Sequence, residues 1–308
     1  NGDADVGGGD GIITGALIEN NVIWENGEGG GSGINCDGVQ DSVFRNNLLY
    51  ENHASGFSFY RINGGGGSSG NLVINNTVVQ AETSRWAINL QQGATNNRVL
   101  NNVIFSRHAR RGAVDISDDS RDGFVSDYNV LIARFTTDGA STVIDLAAWQ
   151  ALGYDANSVE GTIDEVFVDA AGGDYHLAPG SVAIDMGTAD AAPGADYEGD
   201  ARPQGAGIDV GADELCEGDC EATPGADAGP SASDAGPSAS DAGPGSDAGP
   251  GSLPDGSVAD AATADASMMG DDGDEGCGCR ATGRSGFGGA LPILFALLFI
   301  RRRRTSRG

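Results

Sequence analysis

Along the N-terminal part of the chain, short apolar runs recur between polar corners at a nearly constant interval. Asn pairs mark the corners at Asn20–Asn21, Asn46–Asn47, Asn75–Asn76 and Asn101–Asn102, with a looser copy at Asp127-Tyr128-Asn129. The second Asn residues follow one another at 26, 29, 26 and 27 residues. A β-favouring run precedes the pairs (Val43-Phe44, Leu72-Val73-Ile74, Val99-Leu100), and another follows them (Val22-Ile23-Trp24, Leu48-Leu49-Tyr50, Val78-Val79, Val103-Ile104-Phe105). A third run comes after a loop of variable length: GINC at 33–36, GFSF at 56–59, AINL at 87–90 and AVDI at 113–116. In it apolar and polar residues alternate, the period-2 signature of a half-buried strand.

Three short strands per repeat describe one turn of a coil, and no single turn buries its apolar face alone. The pattern predicts an all-β fold, a single-stranded parallel β-helix with turns stacked at the strand spacing of roughly 4.8 Å. Ile34, Phe57, Ile88 and Val114 would pile into one interior column, and Cys36, Phe59, Leu90 and Ile116 into the next. The Asn pairs would share one corner, their amides satisfying backbone groups at the bend and one another along the stack.

These repeats, over roughly residues 10–133, resemble the right-handed parallel β-helix proteins of the pectate-lyase-like superfamily. The resemblance implies the handedness, which spacing alone does not give. Residues 134–216 resemble the tail that follows such repeats, with Ser181–Gly187 and Gly211–Glu214 matching its closing pattern. This tail is expected to cover the open end of the last turn, where bare strand edges invite aggregation. Within it Asp145–Leu152 reads as a short helix, with Leu146, Trp149 and Leu152 on one face and Gly153 as its stop. Asp196, Glu198 and Asp200 are either calcium ligands or, the reading preferred here, turn carboxylates, some of them paired with Arg202.

Beyond about residue 217 the pattern stops. Residues 217–276 consist mostly of Ala, Asp, Gly, Pro and Ser, with near-copies of SDAGP, the composition of an unstructured, self-repelling spacer. Residues 277–308 hold Cys277 and Cys279, the apolar run 290–300 and an Arg cluster at 301–304. That order resembles the MYXO-CTERM class of C-terminal sorting signals. The resemblance implies export to the cell surface, a membrane segment in the precursor, a sorting protease and processing at Cys277 or Cys279. A plain C-terminal membrane helix is the alternative. The first residue is Asn1, and Gly7–Gly11 reads as the entry to a repeat already under way, as in the C-terminal part of a longer product. The five Cys form no paired framework by spacing.

Composition narrows the partners. The 308 residues include 51 Gly, only 6% aromatics and a formal net charge of −28, and all 17 basic side chains are Arg. So acidic a chain offers no broad footprint for nucleic acid.

In the resembled family, substrate lies along the outer face of the GINC-type strands. Here that ladder is Asn35, Ser58, Asn89 and Asp115. The flanking RHARR run at 107–111 is a cationic loop in an acidic chain. His108 and the Arg residues could hold an anionic sugar, with Trp86 one turn away as a stacking platform, or they could simply pair with nearby Asp residues. β-Elimination needs a base and a cation for the enolate. One carboxylate on the ladder does not make a calcium cluster, and Lys bases are excluded, which leaves Arg85, Arg110 and Arg111 as weak candidate bases. Hydrolysis would require Asp115 with Asp118 or Asp119. No metal site is assigned, since His53 and His108 lie two turns apart, roughly 10 Å by strand spacing.

The sequence therefore predicts a surface-displayed β-helix that binds glycans or matrix polysaccharide. The alternatives are a polysaccharide lyase or hydrolase with catalytic turns partly upstream, and a structural or adhesive surface protein. No cofactor is expected, with a calcium ion as the alternative.

Overall fold

The computed structural model describes residues 2–5, 9–139 and 141–216. The spacer and the sorting signal, including Cys277 and Cys279, lie outside the described residues. No helix among the described residues is long and apolar enough to cross a membrane.

The described chain is a parallel β-solenoid of about six turns. Each turn contributes a strand to three sheets in succession. The first sheet holds Leu17–Glu19, Val43–Arg45, Leu72–Ile74, Arg98–Leu100 and Val125–Asp127. The second holds Val22–Trp24, Leu48–Tyr50, Thr77–Gln80, Val103–Ser106, Val130–Leu131 and Val159–Glu160. The third holds Ser32–Asp37, Ser55–Tyr60, Ile88–Leu90, Val114–Ile116 and Phe135–Thr136. The coil thus continues past residue 133, because Phe135–Thr136 and Val159–Glu160 extend the third and second sheets.

The interior columns have the expected register. Ile34 aligns with Phe57, Phe57 with Ile88 and Ile88 with Val114; Cys36, Phe59, Leu90 and Ile116 align beside them. Phe57 and Phe59 are fully buried, and Phe44 packs edge-on against both rings at 5.9 and 5.3 Å. Burial pushes the Cys36 thiol up to about 12, so this free cysteine behaves as a small core hydrophobe. Cys216, by contrast, is disulfide-bonded, which departs from the unpaired reading of the cysteines.

The Asn corner divides its two residues between two tasks. The first residue of each pair takes a left-handed conformation, with φ between 50° and 56° from Asn20 to Tyr128. Asn adopts this region at low cost because its short amide bonds locally. The second residue builds the ladder. Nδ2 of Asn21 donates to Oδ1 of Asn47 at 2.9 Å, Asn47 to Asn76 at 2.9 Å, Asn76 to Asn102 at 3.0 Å and Asn102 to Asn129 at 3.3 Å. Each Oδ1 also accepts the backbone N–H of the preceding Asn, so one buried amide closes two bonds. A second ladder, of Ser42, Asn71 and Asn97, runs along the corner before the first sheet.

The chain after residue 136 departs from the expected cap. Helix α1 (Leu146–Ala151) does close the interior, because Trp149 stacks on Phe135 at 4.7 Å and is fully buried. Asp145 caps it by accepting the Ala148 N–H, while Leu152, expected on the buried face, is 42% exposed at the C-cap. After α2 (Ile163–Val166), however, the tail runs along the side of the coil. Val166, Phe167, Tyr175, Leu177, Ala183 and Val210 pack on Leu48, Val79, Val103, Phe105 and Val130, the outward residues of the second sheet. The first Asn of three of the pairs fastens it there. Asn46 donates to the Ala195 carbonyl, Asn75 to Asp209 and Gly211, and Asn101 to Thr188.

Candidate functional site

The third sheet positions the ladder predicted to carry function. Asn35, Ser58, Asn89 and Asp115 lie in register on its outer face, and the row continues to Thr136. Alternation within each strand causes this, since Phe57 and Phe59 must point inward and so turn Ser58 and Tyr60 out. Access is uneven along the row. Asn35 is exposed and Asn89 half-buried, whereas Ser58, Asp115 and Thr136 are buried. The open end of the ladder is therefore amide-rich. Asn35 donates to the Tyr60 hydroxyl at 2.6 Å, and Gln91 donates to Asn89 Oδ1 at 3.1 Å.

The RHARR loop is a folded unit. Nδ1 of His108 accepts the backbone N–H groups of Arg110 and Arg111 at 3.0 and 2.9 Å. Nδ1 is therefore unprotonated, and the neutral ring keeps its proton on Nε2. Burial lowers its pKa below the ordinary imidazole value, and the nearby charges of Arg111, Arg134 and Arg110 lower it further. Arg134, from the next turn, grips the loop by donating to the carbonyls of Ala109 and Ser106 at 2.7 and 2.9 Å.

The Arg residues do not share one set of carboxylates. Arg107 pairs with Glu51 at 2.7 Å, and Asp118 pairs with Arg121 at 3.2 Å. Arg110 is exposed and donates to the Ser141 carbonyl, and Arg111 donates to the Ser84 carbonyl at 3.4 Å. That bond brings Arg111 beside the loop of the previous turn, which carries half-buried Arg85. Arg85 and Arg111 thus lie on loops of neighbouring turns, with Asp115 in the strand that Arg111 leads into. Trp86 does not join them as a platform, because it is only 4% exposed. Of the two carboxylates expected to assist hydrolysis beside Asp115, Asp118 pairs with Arg121, and Asp119 accepts from Ser117 and Ser120.

The other predicted cluster also resolves differently. Asp196 Oδ1 accepts the N–H groups of Glu198, Gly199 and Asp200, and its Oδ2 accepts that of Glu214. Asp196 is therefore a turn carboxylate, as preferred from the sequence. Arg202 pairs with Glu214 at 2.8 Å, not with this turn. Glu198 points away, toward His176. His53, the other histidine considered for metal, contacts Thr83 at 2.8 Å.

Neither a protein-family model nor a curated protein matches the chain.

Proposed function

We propose that the solenoid is a binding scaffold for acidic polysaccharide, which lies along the outer face of the third sheet toward the RHARR loop. The observation that carries this reading is the in-register polar row from Asn35 to Asp115 beside a preorganised cationic loop. A row of polar side chains repeating at the strand spacing suits an extended polymer, whose sugar units recur at a similar interval. Asn35, Asn89 and Gln91 supply amide donors and acceptors for hydroxyls. Arg110, Arg111 and the Nε2–H of His108 supply donors for carboxylates. The likeness of the repeat to the pectate-lyase-like superfamily supports the same face. In this reading the chain is exported and displayed at the cell surface, and its C-terminal signal is processed at Cys277 or Cys279.

A binding scaffold is favoured over a lyase because the one ladder carboxylate, Asp115, is 6% exposed. Polygalacturonate, as an acidic probe, is expected to bind more weakly as salt rises. Arg110→Ala with Arg111→Ala should weaken binding at least about tenfold, the equivalent of about 1.4 kcal/mol. Ultraviolet absorbance of unsaturated uronate, read in the same samples, should not rise. A rise abolished by the two substitutions would replace this reading with a lyase, and no binding to any acidic or neutral polysaccharide would leave a structural role.

A further inference from the structure

The tail on the side of the coil brings together side chains that no sequence spacing connects. His176 lies in the strand Asp174–Leu177, Glu198 in the turn after Tyr197, and Asp213 in the segment closing the tail. One donor atom from each lies within 4.8 Å of the other two.

Two further features aim this group at a cation. Nδ1 of His176 is 2.6 Å from Asp174 Oδ1, which fixes the ring and turns Nε2 toward Glu198 Oε2 at 2.8 Å. A carboxylate on the far nitrogen is the usual support of a metal-binding imidazole, since it sets the tautomer and raises ligand basicity. Asp213 supplies the second feature. It is 5% exposed, and Leu177 N–H donates to its Oδ2 at 2.7 Å. A carboxylate this buried is costly without a positive partner.

We propose that His176, Glu198 and Asp213 bind a divalent transition ion of the zinc kind, with Asp174 as the positioning carboxylate. Imidazole with two carboxylates suits zinc better than calcium, which prefers six to eight oxygens. Four-coordinate zinc, with bonds of roughly 2.0–2.1 Å, needs its donors about 3.3 Å apart. Closing from the observed spread takes a modest movement, and Glu198, half-exposed on a long side chain, can make it. The ion would tie three segments of the tail together, so its role is structural and independent of polysaccharide binding.

The test is equilibrium dialysis of the metal-stripped full chain against zinc, with metal counted per chain and thermal unfolding followed in parallel. Wild type should retain one ion more than either His176→Ala or Glu198→Gln. Zinc should raise the unfolding temperature of wild type alone, and calcium at equal concentration should do neither. Glu198→Gln lies on the surface and keeps the fold, so loss of the ion there cannot be laid to unfolding. Equal zinc content in wild type and both variants, or no zinc bound to wild type, would overturn the site and leave an ion pair between a protonated imidazole and its carboxylates.

Discussion

Asn76→Ala is expected to cost about 4 kcal/mol or more, among the largest effects of any single substitution in the coil. Asn76 is fully buried at the middle of the ladder. Its Oδ1 accepts the N–H of Asn47 at 3.0 Å and the Nδ2 of the same residue at 2.9 Å. Its Nδ2 donates to the Phe44 and Ile74 carbonyls and to Asn102 at 2.9, 3.0 and 3.0 Å. Alanine orphans several of these groups in a dry interior, where each unsatisfied one costs about 1–3 kcal/mol. Asn76→Asp should do no better, because the carboxylate keeps the acceptor but loses the donor and adds a buried charge. Exposed Asn35→Ala is the control and should cost no more than about 1 kcal/mol. Urea unfolding separates these outcomes. A shift for Asn76→Ala as small as that of Asn35→Ala would mean that the ladder does not hold the turns together.

Arg202→Met is the second large effect, and it reports on the tail. The guanidinium and its partner Glu214 are both fully buried in their side chains. Nη1 donates to the Asp209 carbonyl and to Glu214 at 2.9 and 2.8 Å, and Nη2 donates to the Gly211 and Ala212 carbonyls at 2.9 and 2.8 Å. Methionine fills much of the space but leaves the buried Glu214 carboxylate without its cationic partner and takes one donor from each of three carbonyls, a loss of about 3–5 kcal/mol. Glu214→Gln on top of it should recover only part, since the carbonyls keep just their remaining donors, Asn75 Nδ2 and the Tyr197 N–H. Because these carbonyls belong to the segment held by Asn75, the tail should loosen first. Limited proteolysis should cut Arg202→Met between residues 178 and 215 while leaving the coil intact. Cleavage inside the coil at the same rate would show that the tail is not a separate clasp.

Much of this fold was legible in the letters, and the exceptions have physical causes. The Asn corner and both interior columns followed from period and residue type. The second corner ladder was missed because its left-handed positions are Gly15, Asp41, Gly70, Asn96 and Gly123, chemically different residues that share a positive φ. Gly, Asn and Asp all tolerate that conformation, so the spacing persisted while the identity varied. The path of the tail had a readable signal. Leu48-Leu49, Val78-Val79 and Val103-Ile104-Phe105 are continuous apolar runs, unlike the alternating GFSF and AINL. Strands covered on both faces read that way, and the tail is the second cover. Leu152 and Trp86 went astray for a simpler reason, since a short helix end and a loop aromatic carry no periodicity to fix their facing. The meeting of His176, Glu198 and Asp213 was not legible at all, because it depends on three segments crossing in the tail.

The most direct measurement of where this molecule acts is hydrogen–deuterium exchange of the full chain with and without saturating polygalacturonate. Binding along the third sheet predicts added protection in peptides spanning residues 54–61, 85–91 and 107–116, on that sheet and its loops, with no change from 163 to 215. Protection confined to the tail, or none anywhere under conditions that saturate binding, would contradict it.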